Sequence, residues 1–322
     1  MAIGRRIVPA QTQNVQPEVI PSNKVTDSTN KRKITFEPQV PKYTMDEVIL
    51  PDKTVSAVKQ ALVIKDKSDL IFEQWGLNKT HKFSRKVGIN LYGLPGTGKT
   101  MVAHAIAHYL NKKLIVINYA DIESKFVGDT PKNLTAAFQA ATENDSILFF
   151  DEADAILSRR VTNMNNATDT SVNQTRSVML TLLNDYQGVI LFATNYISNF
   201  DPAFMRRILA HIQFELPDYD CRVKLYERLI PKELPTDVDR HKLAERFDGV
   251  SGSDISNAIL LASFKGAQSI EAFVKHEFFE EALEGIKKSQ AANRGTENVK
   301  VETRLVSEEY AQKQIKNGGS NA

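Results

Sequence analysis

Short apolar runs alternate with longer amphipathic stretches through the middle of the chain. Val87-Gly88-Ile89-Asn90-Leu91-Tyr92, Lys113-Leu114-Ile115-Val116-Ile117, Ser146-Ile147-Leu148-Phe149-Phe150 and Val189-Ile190-Leu191-Phe192-Ala193-Thr194 have the length and composition of strands. Helical stretches around 131–143 and 174–186 lie between them. Near-continuous apolar strands joined through helices predict an α/β fold, a parallel sheet sandwiched by helices. Ile212-Gln213-Phe214-Glu215-Leu216 adds a fifth strand, closed by Pro217.

After Pro217 the pattern is helical only, over 219–230, 239–247, 253–267 and 270–287, with Pro231 and Pro235 marking a turn. Ahead of the sheet, Val55, Val58 and Leu62 predict an amphipathic helix. A second helix runs through Leu70, Ile71 and Trp75 until Gly76 stops it. Residues 1–40 are rich in Gln, Asn, Pro, Ser and Thr and have no sustained periodicity, so they are expected to be disordered, with order beginning near Tyr43. The expected division is a disordered segment at 1–40, an α/β nucleotide-binding domain at 41–217, a small all-helical lid at 218–288 and a polar, flexible tail at 289–322.

One loop changes this from a fold prediction into a chemical one. Gly93-Leu94-Pro95-Gly96-Thr97-Gly98-Lys99-Thr100 fits G-x-x-x-x-G-K-[ST], and it stands between a strand and a helix, the context the pattern requires. Glycines let backbone N–H groups turn inward onto phosphate oxygens, and the helix N-terminus adds partial positive charge. Lys99 can then reach the β- and γ-phosphates, and the Thr100 hydroxyl can bind Mg²⁺. Pro95, Gly96, Thr97, Gly98 and Met101 complete the expected nucleotide contacts on this loop. The implied ligand is ATP with Mg²⁺.

The third strand ends in Asp151-Glu152. Carboxylates at the carboxyl end of a parallel strand lie at the ligand-binding edge of the sheet. Asp151 suits the Mg²⁺ hydration shell, and Glu152 suits activation of a water. Asp151-Glu152-Ala153-Asp154 also spells the tetrapeptide that names a helicase class, but the helices after Pro217 leave no room for the second sheet domain such helicases use. Asn195, after the fourth strand, brings a side-chain amide to the same edge. Arg206 and Arg207 follow a short predicted helix, either as a solvated charge pair or as cations reaching a neighbouring subunit's nucleotide.

Composition limits the remaining choices. The 322 residues carry a net charge of +2, which argues against nucleic acid as the main partner. Cys221 is the single cysteine, so no internal disulfide forms. No apolar run reaches membrane-spanning length and no signal peptide is visible, which predicts a soluble cytoplasmic protein. His104 and His108 are spaced like metal ligands, yet Ala105 stands where a zinc protease needs glutamate.

Taken in order, these motifs resemble those of an AAA ATPase of the AAA+ superfamily. The chain is similar to the branch holding katanin, spastin, the ESCRT-disassembling ATPase and the mitochondrial outer-membrane extractase, from about Tyr43 to Lys287. The resemblance implies that Lys99 and Thr100 are Walker A, Asp151 and Glu152 Walker B, Asn195 sensor 1, and Arg206 and Arg207 paired arginine fingers. It puts Val48 and Ile49 beside the adenine and matches Gly252-Ser253-Asp254 to a motif of the lid, with Ser253 near the nucleotide. Lys125, Phe126 and Val127 resemble the family's first pore loop, in which an aromatic ring grips a polypeptide without regard to its sequence. A second pore loop is expected in 159–174. Where the family often carries a further basic residue after the arginine pair, this chain has Ile208-Leu209-Ala210-His211.

The implied assembly is a homo-oligomeric ring, a hexamer, that remodels or unfolds a polypeptide client, directly or through an adaptor. Two other readings remain. A DNA-acting loader would carry several basic residues at the pore, where Lys125 is the only one. An ATP-driven switch for a dedicated client complex suits an N-terminal segment with no recognisable folded recognition domain.

Overall fold

A computed structural model describes residues 35–81, 87–118, 122, 129–158, 167–195 and 200–297. The pore-loop candidates Lys125, Phe126 and Val127 lie outside the described residues, as does 159–166 of the second pore stretch. The described residues from Phe36 on belong to one compact unit.

Strands β1 (Val87–Gly93), β2 (Leu114–Asn118), β3 (Ile147–Asp151), β4 (Val189–Thr194) and β5 (Ala210–Phe214) form one sheet in the order β2-β3-β4-β1-β5. Every strand pair in it is parallel. Helices α1 (Asp52–Asp66) and α2 (Lys99–Tyr109) belong to one face. There Val58, Leu62, Val102 and Ile106 pack with Ile89, Leu91, Phe149 and Leu191. Helices α3 (Asp129–Glu143) and α5 (Ala167–Asp185) belong to the other, with the short α4 (Asp154–Leu157) between them in sequence. On that face Leu134, Phe138, Met179 and Leu183 join Leu148, Phe150, Ile190 and Phe192. Both faces of each strand are therefore covered, which is why the strands read as apolar runs rather than alternating ones.

A four-residue helix, α6 (Pro202–Met205), precedes β5. Beyond Pro217, α7 (Tyr219–Leu229), α8 (Arg240–Arg246), α9 (Gly252–Gln268) and α10 (His276–Glu297) share a separate core that includes Tyr226, Leu243, Ile255, Phe279 and Leu283. Side-chain caps start three of them. Asp218 accepts from the Cys221 N–H, Asp239 from the Lys242 N–H, and Ser251 with Asp254 forms a capping box.

The architecture matches the expected fold class, with local differences that have physical causes. Order begins before Tyr43: the Gln39 N–H and carbonyl bond the Leu114 carbonyl and N–H at 2.8 and 2.9 Å, covering the edge of β2. The second N-terminal helix is a π-turn, Leu70–Gln74, ended by Gly76 at φ 72°. The last helix starts at His276, because Val274 donates to the Pro235 carbonyl at 2.8 Å and Thr236 donates to the Val274 carbonyl at 2.6 Å. Those bonds tie Val274 to the chain after α7. The same helix continues to Glu297, into the stretch expected to be a flexible tail from 289, and Gln290 donates to Asp254 Oδ2 at 2.9 Å. β5 begins at Ala210 instead of Ile212, as the Leu209 N–H starts the pairing on the Gly88 carbonyl at 2.9 Å.

Candidate active site

The loop from β1 to α2 folds over the carboxyl end of the sheet. Gly93 must be glycine, since a Cβ would lie 2.1 Å from the Phe214 carbonyl oxygen. Gly96 and Gly98 have φ of 75° and 94°, left-handed values that turn the backbone back before α2 begins. The Thr97 hydroxyl donates to the Leu94 carbonyl at 2.8 Å and ties the turn.

Lys99 is buried and directs all three ammonium donors at acceptors: the Gly93 carbonyl at 2.7 Å, the Leu94 carbonyl at 2.9 Å and Asn195 Oδ1 at 3.0 Å. Burial lowers its pKa below the ordinary lysine value, against the opposing pull of Asp151 and Asp154. The Thr100 hydroxyl donates to Asp151 Oδ2 at 3.0 Å. Glu152 is exposed, with φ 50°. Its N–H donates to Asp151 Oδ1 at 3.0 Å, and the next N–H, of Ala153, donates to the Ala193 carbonyl at 2.9 Å. A left-handed non-glycine costs about 1 kcal/mol or more, and such strain concentrates at functional positions.

Asn195 is placed twice: its side chain on Lys99, and its N–H on Asp154 Oδ2 at 3.2 Å. Sequence reasoning saw Asp154 only as part of a tetrapeptide; its place at the start of a helical turn beside the strand end was the available signal. Lys99, Thr100, Asp151, Glu152 and Asn195 together line a cleft of about 340 Å³. The donor set at Thr100 and Asp151 is hard oxygen only, and it fits Mg²⁺, which keeps several waters and takes few protein ligands.

A second cavity, of about 380 Å³, adjoins the first through Gly96, Gly98, Met101 and Ser253, which line both. Val48 and Ile49 line it from one side and Leu225 and Ser256 from the helical side. Its apolar walls and size suit a flat heterocycle. Arg228, which no sequence motif singles out, also lines it. It donates to the Asp46 carbonyl at 3.2 Å and stands 3.8 Å from Glu47. The Tyr43 ring packs edge-on to His104 at 5.9 Å, and His104 Nδ1 accepts the Lys42 N–H at 3.3 Å. The helical unit also touches the loop directly, where the Ser253 N–H donates to the Gly96 carbonyl at 3.3 Å.

The arginines behave differently from each other. Arg207 is spent within the chain, on the Ala203 carbonyl at 2.7 Å and Asn184 Oδ1 at 2.8 Å. Arg206 is exposed, and its guanidinium makes no hydrogen bond or ion pair among the described residues. Neither lines the cleft that holds Lys99.

Residues 89–216 match the ATPase family associated with various cellular activities (AAA). This chain carries an AAA ATPase domain. The match gives that domain its activity class, ATP hydrolysis, and its nucleotide-binding loop. Among curated relatives, the 26S proteasome regulatory subunit 8 homolog of Saccharomyces cerevisiae is 32% identical over 256 residues, which is 76% of this chain and 61% of the relative. The 26S proteasome regulatory subunit 8 homolog B of Arabidopsis thaliana is 30% identical over 283 residues, 84% of this chain and 64% of the relative. The 26S proteasome regulatory subunit 8 of Caenorhabditis elegans is 31% identical over 258 residues, covering 76% and 59%. The chain thus spans about three fifths of the length of these relatives. No helix among the described residues is long and apolar enough to cross a membrane.

Proposed function

We propose that this chain is the Mg-ATP-hydrolysing subunit of a homomeric ring, a hexamer, that remodels or unfolds a polypeptide client in the cytoplasm. The observation that carries this reading is the division of the site. Lys99, Thr100, Asp151 and Asn195 are interlocked within 3.0 Å contacts, whereas Arg206 stands apart with an uncommitted guanidinium among the described residues.

In the proposed reaction the N–H groups of Gly96–Thr100 and the Lys99 ammonium hold the phosphates. Thr100 and Asp151 would hold Mg²⁺, which would supply positive charge to the phosphates when bound. Glu152 takes a proton from the water whose oxygen attacks the γ-phosphorus, as the bond to the β,γ-bridging oxygen breaks. Asn195 orients that water. Arg206 of a neighbouring copy stabilises the charge of the transferring phosphoryl group, and Arg207 braces the corner from which it projects. Val48, Ile49 and Met101 enclose the base, with Ser253 closing the site from the helical unit. Hydrolysis then alters the contact between subunits and moves Lys125, Phe126 and Val127, which grip the client or a polypeptide presented by an adaptor. The relatives that support an ATP-driven remodeller carry the name of proteasome regulatory subunits.

The test is the Glu152→Gln form. It binds ATP, turns over slowly and yields closed rings by electron microscopy, with client proteins retained on affinity capture. Strictly monomeric particles at saturating ATP would rule the ring out.

A further inference from the structure

Three polar side chains share one face of the sheet on adjacent strands: Thr194 on β4, Asn90 on β1 and His211 on β5. Asn90 is directly opposite His211 in the parallel register. Asn90 and Thr194 are 0% and 1% exposed, and Phe192, opposite Asn90 in the register, belongs to the apolar core. An amide buried in a central strand costs several kcal/mol, on the order of 2–7, unless its hydrogen bonds are met.

The donors can be assigned from one end. The Met205 carbonyl only accepts, so His211 Nε2, at 3.3 Å, donates to it. A neutral imidazole then offers Nδ1 as acceptor, and the Asn90 amide nitrogen stands 3.5 Å from it. Asn90 Oδ1 accepts in turn from the Thr194 hydroxyl, also at 3.5 Å. Burial keeps His211 in the neutral form this pattern requires, lowering its pKa against the opposing bond to Met205. The bonds run in one direction, from the residue before Asn195 to the residue before Arg206.

The Met205–Arg206 peptide is held at both ends. Its carbonyl takes the His211 bond, and its N–H donates to the Pro202 carbonyl at 3.3 Å. With that plane fixed and the next N–H, of Arg207, bonded to the Phe204 carbonyl at 2.9 Å, the peptides on both sides of Arg206 are held and its Cα–Cβ bond has one direction. On its far side Arg207 is anchored, and the backbone of Arg207 and Ile208 rests against Gly88, where a Cβ would approach Ile208 Cα to 3.4 Å.

We propose that His211 is a positioning residue for the arginine corner: through the Met205 carbonyl it sets the peptide from which Arg206 projects toward a neighbouring copy's nucleotide, and through Asn90 it ties that placement to the strand end bearing Asn195. This rests on the ring-site reading given above. The signal in the sequence is a histidine where a further basic residue is usual, opposite an asparagine in an otherwise apolar strand.

The experiment measures ATPase kcat and KM on the full chain for Arg206→Ala, His211→Leu and His211→Gln. His211→Leu lowers kcat about 10- to 100-fold, the scale of a small misplacement, with KM within about twofold. His211→Gln, whose amide can donate to Met205 and accept from Asn90, recovers most of the loss. Mixing His211→Leu with the Glu152→Gln form restores turnover at His211→Leu sites, because the intact neighbour supplies a well-placed Arg206. Unchanged kcat for His211→Leu overturns the proposal, as does equal loss in the Leu and Gln variants or failure of the mixture to recover. If Arg206→Ala itself turns over normally, the ring-site reading falls and takes the proposal with it.

Discussion

The phosphate cleft and the arginine corner stand on the same sheet and are built on opposite plans. In the cleft, four of the polar side chains are committed: Lys99 spends three donors, Thr100 meets Asp151, and Asn195 is held at both its side chain and its N–H. At the corner, a four-residue helix ends in one arginine that is tied down and one that is not. A cleft so interlocked is organised before any ligand arrives, which is what electrostatic catalysis requires. The corner is organised only in its backbone, and its exposed cation is matched to something outside the chain.

Substitutions can break this contrast. The largest effect is expected for Arg206→Ala, about 10³- to 10⁵-fold in kcat by steady-state assay, with ATP affinity of the isolated subunit unchanged by equilibrium titration. A large loss of affinity in the isolated subunit would move Arg206 into the cleft and dissolve the distinction. Glu152→Gln should follow at about 10²- to 10⁴-fold in turnover, again with binding retained. Asn195→Ala releases one Lys99 bond and one water-orienting group, and a loss of about 10²- to 10³-fold in kcat is expected. Arg207→Ala sharpens the comparison: if it is a brace, it lowers the unfolding midpoint by roughly 2–4 °C and costs less turnover than Arg206→Ala.

The smallest expected effect is on pH. Burial, with Lys42 nearby, depresses the pKa of His104 below the ordinary histidine value, and His211 is depressed by burial as well. Groups depressed in this way contribute stability that is complete above the unfolded pKa near about 6.5 and is lost as pH falls through the folded values. The unfolding midpoint should therefore drop by a few degrees, roughly 2–4 °C, between pH 7 and 5.5. His104→Gln should flatten part of that drop; an unchanged slope would mean the ring at His104 does not stay neutral.

Much of the cleft was legible because its residues sit at strand ends, and strands buried on both faces announce themselves as apolar runs. Lys99, Asp151, Glu152 and Asn195 could each be placed by counting from such a run. Val48 and Ile49 needed a resemblance, since nothing periodic marks a strap that crosses a cavity. The unforeseen contacts join distant parts of the sequence. Gln39 pairs with Leu114, Arg228 reaches Asp46, and Asp154 takes the Asn195 N–H, each through a bond that local pattern does not encode. The overrun of α10 to Glu297 has the same origin, for Gln290 is anchored by Asp254 on another helix. Which arginine is uncommitted was likewise beyond local reading, because Arg207 is occupied by Asn184, 23 positions away in sequence.

The meeting of Gly96 and Ser253 has a kinetic side. A Cβ on Gly96 would come within 2.6 Å of the Ser251 hydroxyl, so loop and helical unit meet with no side chain from the loop between them. What joins them at that point is one backbone bond of 3.3 Å, and such a bond is worth only about 1 kcal/mol net. A seam that shallow parts and re-forms quickly, without repacking a core. It makes residence time, more than affinity, the property this joint can adjust, and a single methyl group at Gly96 would be enough to wedge it open.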